Sequence, residues 1–222
     1  VVVSRGVEAR DYTLLDSDWK FINQEVAGAE SPDFNDSHWE RVRVPHDWAI
    51  SGHFNMNIDA QVVQVVEDGE TTPRLRTGRT GALPTFGVGW YRKVLPVNKD
   101  DSSGRVFVEF DGAMSMAKVY VNGQYVGEWP YGYASFSLEL TGFLRFDKEN
   151  VLAVRLENRP ESSRWYSGAG LYRNVRLVKT AKTHVGHWGT FISTPVVSAK
   201  MAEVKIRSEE RRVGKECRSR WS

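Results

Sequence analysis

Three stretches hold side chains able to do chemistry. "SSRWYSGAGLYR", Ser162 to Arg173, gathers two arginines, three aromatic rings and the glycines 168 and 170. A guanidinium such as that of Arg164 donates to vicinal hydroxyls or pairs with a carboxylate. Glycine admits a positive φ or a close backbone approach. "VPHDW" (44–48) sets His46 beside Asp47. Neighbours in extended chain face opposite ways, so the pair is read as a structural corner with Trp48 in the core, not as an acid–base dyad. His184 and His187 stand three apart. In a strand they too face opposite ways, and no further Cys, His or acidic cluster completes a set of ligands, so no metal site is expected. The single cysteine, Cys217, lies near the C-terminal end. The body of the chain therefore offers no disulfide and no thiolate nucleophile.

The elements that position these residues are strands. "RVFVEF" (105–110) alternates, with Val106, Val108 and Phe110 on one face and Phe107 and Glu109 on the other. "DWKFI" (18–22), "WERVRV" (39–44), "GWYRKVLPV" (89–97), "AKVYV" (117–121), "QYVGEW" (124–129), "SFSLEL" (135–140), "NVLAVRLEN" (150–158) and "YRNVRLV" (172–178) are similarly short and β-branched or aromatic. Asn122-Gly123 predicts a type I′ hairpin, since both residues tolerate positive φ. No three-turn helical stripe occurs. The spacing predicts an all-β fold, an antiparallel jelly-roll sandwich. The stretch 51–86, rich in Gly, Thr, Arg and Pro, reads as a long loop, functional or disordered. After Thr180 the texture changes to what looks like the opening of a second β-domain.

With 222 residues the chain suffices for one large β-domain, or one domain and part of another. Its net charge is +2, from 30 basic and 28 acidic residues, of which six and three fall in the last sixteen, leaving 24 and 25 in the body. No basic field remains for nucleic acid. No apolar run reaches the ~18 residues of a membrane span. The aromatic share of 12% fits a β-core and a sugar binder equally. The chain starts at Val1, not Met, with no signal peptide, as a fragment or mature form would. The tail from Arg207 to Ser222 has neither alternation nor a helical stripe. It resembles the conceptual translation of a sequencing adapter and is expected to be non-native.

Motifs of the body occur in an order that resembles glycoside hydrolase family 2. "VPHDW", "GVGWYRK" (87–93), the run "FDGAMSMAKVYVNGQYVGEWPYGYASFSLELTGFLRFDKENVLAVRLEN" and "SSRWYSGAGLYRNVRL" (162–177) together span about residues 14–206. The resemblance implies a modular retaining glycosidase: a galactose-binding-like jelly roll, an immunoglobulin-like sandwich, then a (β/α)₈ barrel with an acid/base and a nucleophile glutamate. On this reading residues 1–13 are an extension, 14–180 the sugar-binding sandwich, 181–206 the truncated start of the immunoglobulin-like segment, and 207–222 the tail. The closest flavour is β-galactosidase. A free-standing carbohydrate-binding module without hydrolytic activity is the second reading.

In the family the acid/base follows Asn in an Asn-Glu pair, and this chain has no Asn-Glu dipeptide. No catalytic residue, metal or cofactor is therefore expected in it, and hydrolysis by the chain alone is not expected. The expected partners are a β-galactoside or related glycan and the C-terminal barrel, with no nucleic acid and no membrane. The periplasm or the exterior is the expected compartment. The resemblance places 162–173 against the barrel mouth, where Arg164 and Trp165 can meet a terminal sugar. Arg164 departs from the acidic residue that some members carry. The alternative is domain packing, with Trp165, Tyr166 and Tyr172 at an interface and Arg164 in a salt bridge. The same resemblance brings the segment before "GWY" near the pocket, making Thr85 and Phe86 candidate contacts, or else a loop docked on its own sandwich. "WPYGY" (129–133) looks like an aromatic platform, but its family position assigns it mainly to packing.

Overall fold

In the computed structural model, residues 10–58, 60–77, 80–160, 162 and 165–211 are described. Two antiparallel sheets carry the fold. The smaller runs β1 (Asp11–Leu14), β12 (Val175–Thr180), β7 (Arg105–Phe110), β10 (Phe136–Glu139). The larger runs β3 (Glu40–Val42), β2 (Trp19–Ile22), β6 (Gly87–Val94), β11 (Val151–Asn158), β8 (Ala117–Val121), β9 (Gln124–Trp129). No α-helix occurs among the described residues. The all-β antiparallel sandwich expected from the spacing is therefore the fold found.

Alternation does the sorting. Val106, Val108 and Phe110 of β7 and Ala117, Val119 and Val121 of β8 point into the space between the sheets, where they meet Leu152, Val154 and Leu156 of β11. Burying such side chains contributes roughly 1.5–3 kcal/mol each before conformational entropy is subtracted. β11 departs from simple alternation because the larger sheet is covered on its outer face too. There Ala29, Trp39, Trp90 and Ala153 form a second, smaller cluster beneath the β2–β3 connection. Arg92 fastens that cover, with Nε on Asp36 Oδ2 at 2.9 Å and Nη1 on the carbonyls of Ser31, at 2.8 Å, and Ala29. The β8–β9 turn has Asn122 at φ 53° and Gly123 at φ 82°, as a type I′ hairpin requires.

The stretch 51–86 is not all loop. It carries a two-stranded ribbon, β4 (Ala60–Val63) with β5 (Arg74–Thr77). Past Thr180, a second ribbon pairs β13 (His184–Val197) with β14 (Ala202–Arg211), and this pairing passes through Arg207 opposite Phe191. Sheet pairing begins at Asp11, opposite Lys179, inside the stretch read from sequence as an extension.

The two histidines of β13 correct an expectation. They do not face opposite ways. His184 packs edge-on against Phe107, and His187 Nδ1 lies 2.7 Å from Glu109 Oε1, so both meet the outer face of β7. The cause is a register shift between Val185 and Thr190, with Trp188 at φ 51°, which breaks the two-residue period. Among the described residues no group of three His, Cys, Asp or Glu side chains could hold a metal ion.

Candidate functional site

Strand ends gather the sequence motifs at one end of the sandwich. β6 pairs with β11 so that Gly87 stands opposite Asn158, and the loop ending in Thr85 and Phe86 thus enters where β11 leaves. Gly170 bridges Met114 through reciprocal backbone hydrogen bonds of 3.0 and 2.9 Å, bringing residues 165–173 to the segment after β7.

Asn158 locks these loops together. Its buried carboxamide donates to the Thr85 carbonyl at 2.6 Å and to the Gly168 carbonyl at 3.2 Å. The residue closes the motif "NVLAVRLEN", and that was the available signal, but sequence gives no hint of its two partners. Thr85 is only 4% exposed, so it serves this joint through its backbone, while Phe86 is half-buried. Trp165 is 58% exposed and donates from Nε1 to the Tyr133 hydroxyl at 2.7 Å. Arg164, the first residue chosen from sequence, lies outside the described residues.

His46 and Asp47 form no dyad. Asp47 accepts from the Ala49 and Ala169 backbone N–H groups at 2.9 and 3.2 Å, and from the Tyr166 hydroxyl at 2.6 Å. Burial, reinforced by the Asp47 carboxylate, pushes the Tyr166 phenol far above its ordinary value, so it stays a donor. His46 turns the other way, its Nδ1 2.7 Å from the Tyr91 hydroxyl, and burial lowers its pKa. Trp48 is buried, as expected for a corner. Gly168 (φ 76°) and Gly170 (φ 117°) both need positive φ. A Cβ at Gly170 would strike the Tyr91 hydroxyl and come within 2.7 Å of the His46 carbonyl.

Asp47 and Glu157, both near this end, are engaged. Arg155 and Arg159 each reach Glu157 at 3.1 Å, and their hydrogen bonds hold its pKa below the ordinary value. An ionised, doubly paired carboxylate cannot serve as a general acid near neutral pH. The arrangement can present rings, hydroxyls and a shaped edge. It holds no unengaged acid–nucleophile pair among the residues just described.

Residues 13–181 match the profile "Glycosyl hydrolases family 2, sugar binding domain". The chain is 43% identical over 202 residues to Beta-galactosidase BoGH2A of Bacteroides ovatus, covering 90% of this chain and 22% of that protein. It is 30% identical over 207 residues to a Beta-glucuronidase of Bacteroides fragilis, covering 88% of this chain and 25% of that one. The crystal structure of a beta-glycosidase from Bacteroides vulgatus superposes with a TM-score of 0.79 at 27% identity, over 93% of this chain and 25% of that chain. The chain thus spans about a fifth to a quarter of the length of these relatives. With its profile match, its antiparallel sandwich and its ordered motifs, the chain belongs to glycosyl hydrolase family 2 and carries that family's N-terminal sugar-binding domain.

Proposed function

We propose that this chain is the N-terminal part of a retaining β-galactosidase that hydrolyses O-glycosidic bonds in carbohydrate breakdown. It supplies scaffold and pocket-rim residues, among them Arg164, Trp165 and Phe86, while the acid/base and nucleophile carboxylates lie in chain beyond it. Export to the periplasm or exterior accompanies this reading. The observation that carries it is the 43% identity to a Beta-galactosidase across nearly the whole chain. The engagement of Asp47 and Glu157 is in keeping with carboxylates of the reaction lying elsewhere.

The test is enzymatic. The longer protein read from an independent copy of the gene should cleave nitrophenyl β-galactoside in preference to nitrophenyl β-glucuronide. The 222-residue chain alone should cleave neither. A preference for the glucuronide would overturn the galactosidase assignment. Turnover by the short chain, with contaminating enzyme excluded, would overturn the placement of the catalytic carboxylates.

A further inference from the structure

Four segments remote from one another in sequence meet where β11 ends: the 46–49 corner, residues 82–86, Met114-Ser115 and residues 165–171. Two of them are loops with tethers of their own. In one, the Ala82 carbonyl accepts from the Asn55 backbone N–H at 2.8 Å, and Gly52 is pressed so close to Pro84 that a Cβ would lie 2.4 Å from its ring. In the other, Asp47 accepts from the Ala169 N–H and the Tyr166 hydroxyl, and the Ala169 carbonyl accepts from the Trp48 N–H at 3.0 Å. These tethers run to separate supports. They do not set one loop against the other.

Asn158 does. It is the last residue of β11 and 3% exposed. Its two amide hydrogens diverge, and each meets a different loop, at the Thr85 and Gly168 carbonyls. On the far side of the group, Oδ1 faces Ser115 Oγ at 3.5 Å, and that hydroxyl donates to the Glu157 carbonyl at 2.8 Å. Turning the carboxamide over would set its oxygen against both loop carbonyls, so its orientation is fixed. Asp would put acceptors where donors are needed, Leu has neither, and Ser reaches less far with one donor. A side chain this buried touches no substrate. Whatever it does to one runs through the two carbonyls it holds. Loops fixed to separate supports keep their own shapes when the shared group is cut, but lose their mutual spacing.

We propose that Asn158 is a positioning residue of the glycosidase. Its two donated hydrogen bonds set the spacing between residues 82–86 and 165–170, and that spacing governs how tightly substrate is held, not how fast the bond is broken. That these loops border a sugar pocket rests on the galactosidase reading. The joint between them does not, and the experiment separates the two.

Asn158→Asp and Asn158→Ala are compared with the unaltered protein across pH. The carboxyl of Asn158→Asp would face two carbonyl oxygens in a buried place. Burial and those dipoles both disfavour its charged form, so its pKa rises above the usual ~3.9. Ionised, it repels both carbonyls; protonated, it donates to one and restores part of the joint. In the 222-residue chain, hydrogen exchange at 82–87 and 165–170 should be faster in Asn158→Asp than in the unaltered chain at pH 8, and the gap should close toward pH 5. In Asn158→Ala the gap should persist at both. In the longer protein, with whichever of nitrophenyl galactoside and glucuronide it cleaves, Asn158→Ala should raise KM about tenfold and leave kcat within about twofold. Asn158→Asp should match it at pH 8 and recover several-fold toward pH 5. A variant that merely folds less well loses active fraction, and so apparent kcat, at unchanged KM. The choice of glycoside tests the galactosidase reading. A longer protein that cleaves neither removes that reading and the substrate claim with it, while exchange still decides the joint. Unchanged KM in both variants, or exchange in Asn158→Asp that quickens in one loop alone or without regard to pH, would overturn the proposal.

Discussion

His46 and Asp47 show how adjacent side chains on extended backbone take separate duties. Asp47 ties the Ala169 backbone and the Tyr166 hydroxyl to the corner, and His46 caps Tyr91. Burial holds the folded pKa of His46 below its ordinary 6.5, and the nearby Glu40 and Asp47 charges only partly offset this. On acidification the unfolded chain therefore takes up this proton first. The associated stability is complete above pH ~6.5 and declines as the pH falls toward the folded value. The thermal midpoint should drop between pH 7.5 and 5.5, and His46→Gln should flatten that slope. An identical slope in both proteins would remove His46 from the account. The corner role and the positive φ of Gly168 and Gly170 were legible in the sequence, because they follow from local rules. The meeting of Tyr133 with Trp165 was not, because the two are neighbours only through tertiary structure.

At the scale of elements, the joint between two loops is the sensitive point. Asn158→Ala leaves the Thr85 and Gly168 carbonyls without their donor in a buried place, which costs about 2 kcal/mol. A melt should register that loss. Hydrogen exchange should quicken at residues 82–87 and 165–170 together, while β7 and β11 stay protected. Quickening in one loop only would show that they are not joined through Asn158. Strands with clean alternation, such as β7 and β8, were read to the residue, since period two survives wherever one sheet face is buried. β1 was missed because "DYTL" is an edge strand with little of its surface buried. The β4–β5 ribbon hid among the Gly, Thr and Pro that favoured a loop. At β13 a bulge reset the facing of His184 and His187, which simple counting cannot foresee.

At the scale of the whole molecule, the sandwich and the β13–β14 ribbon differ in how they are held. The sandwich has a continuous core between its sheets. Among the described residues the ribbon meets it through His184 on Phe107, His187 on Glu109 and the Arg10 guanidinium on the Val185 carbonyl. Residues 10–180 expressed alone should keep a cooperative melt within a few degrees of the full chain, read by circular dichroism. Residues 181–222 alone should show none, having too little apolar surface to bury. A non-cooperative 10–180 piece would mean that the ribbon is needed for folding. The ribbon also leaves Phe191, Ile192, Val197 and Ile206 more than 60% exposed. For anyone purifying the chain this is a colloidal matter. An apolar two-stranded surface with unpaired edges is a template for sticking to itself. Concentration-dependent scattering of the full chain, absent from the 10–180 piece, is the behaviour to plan for at the bench.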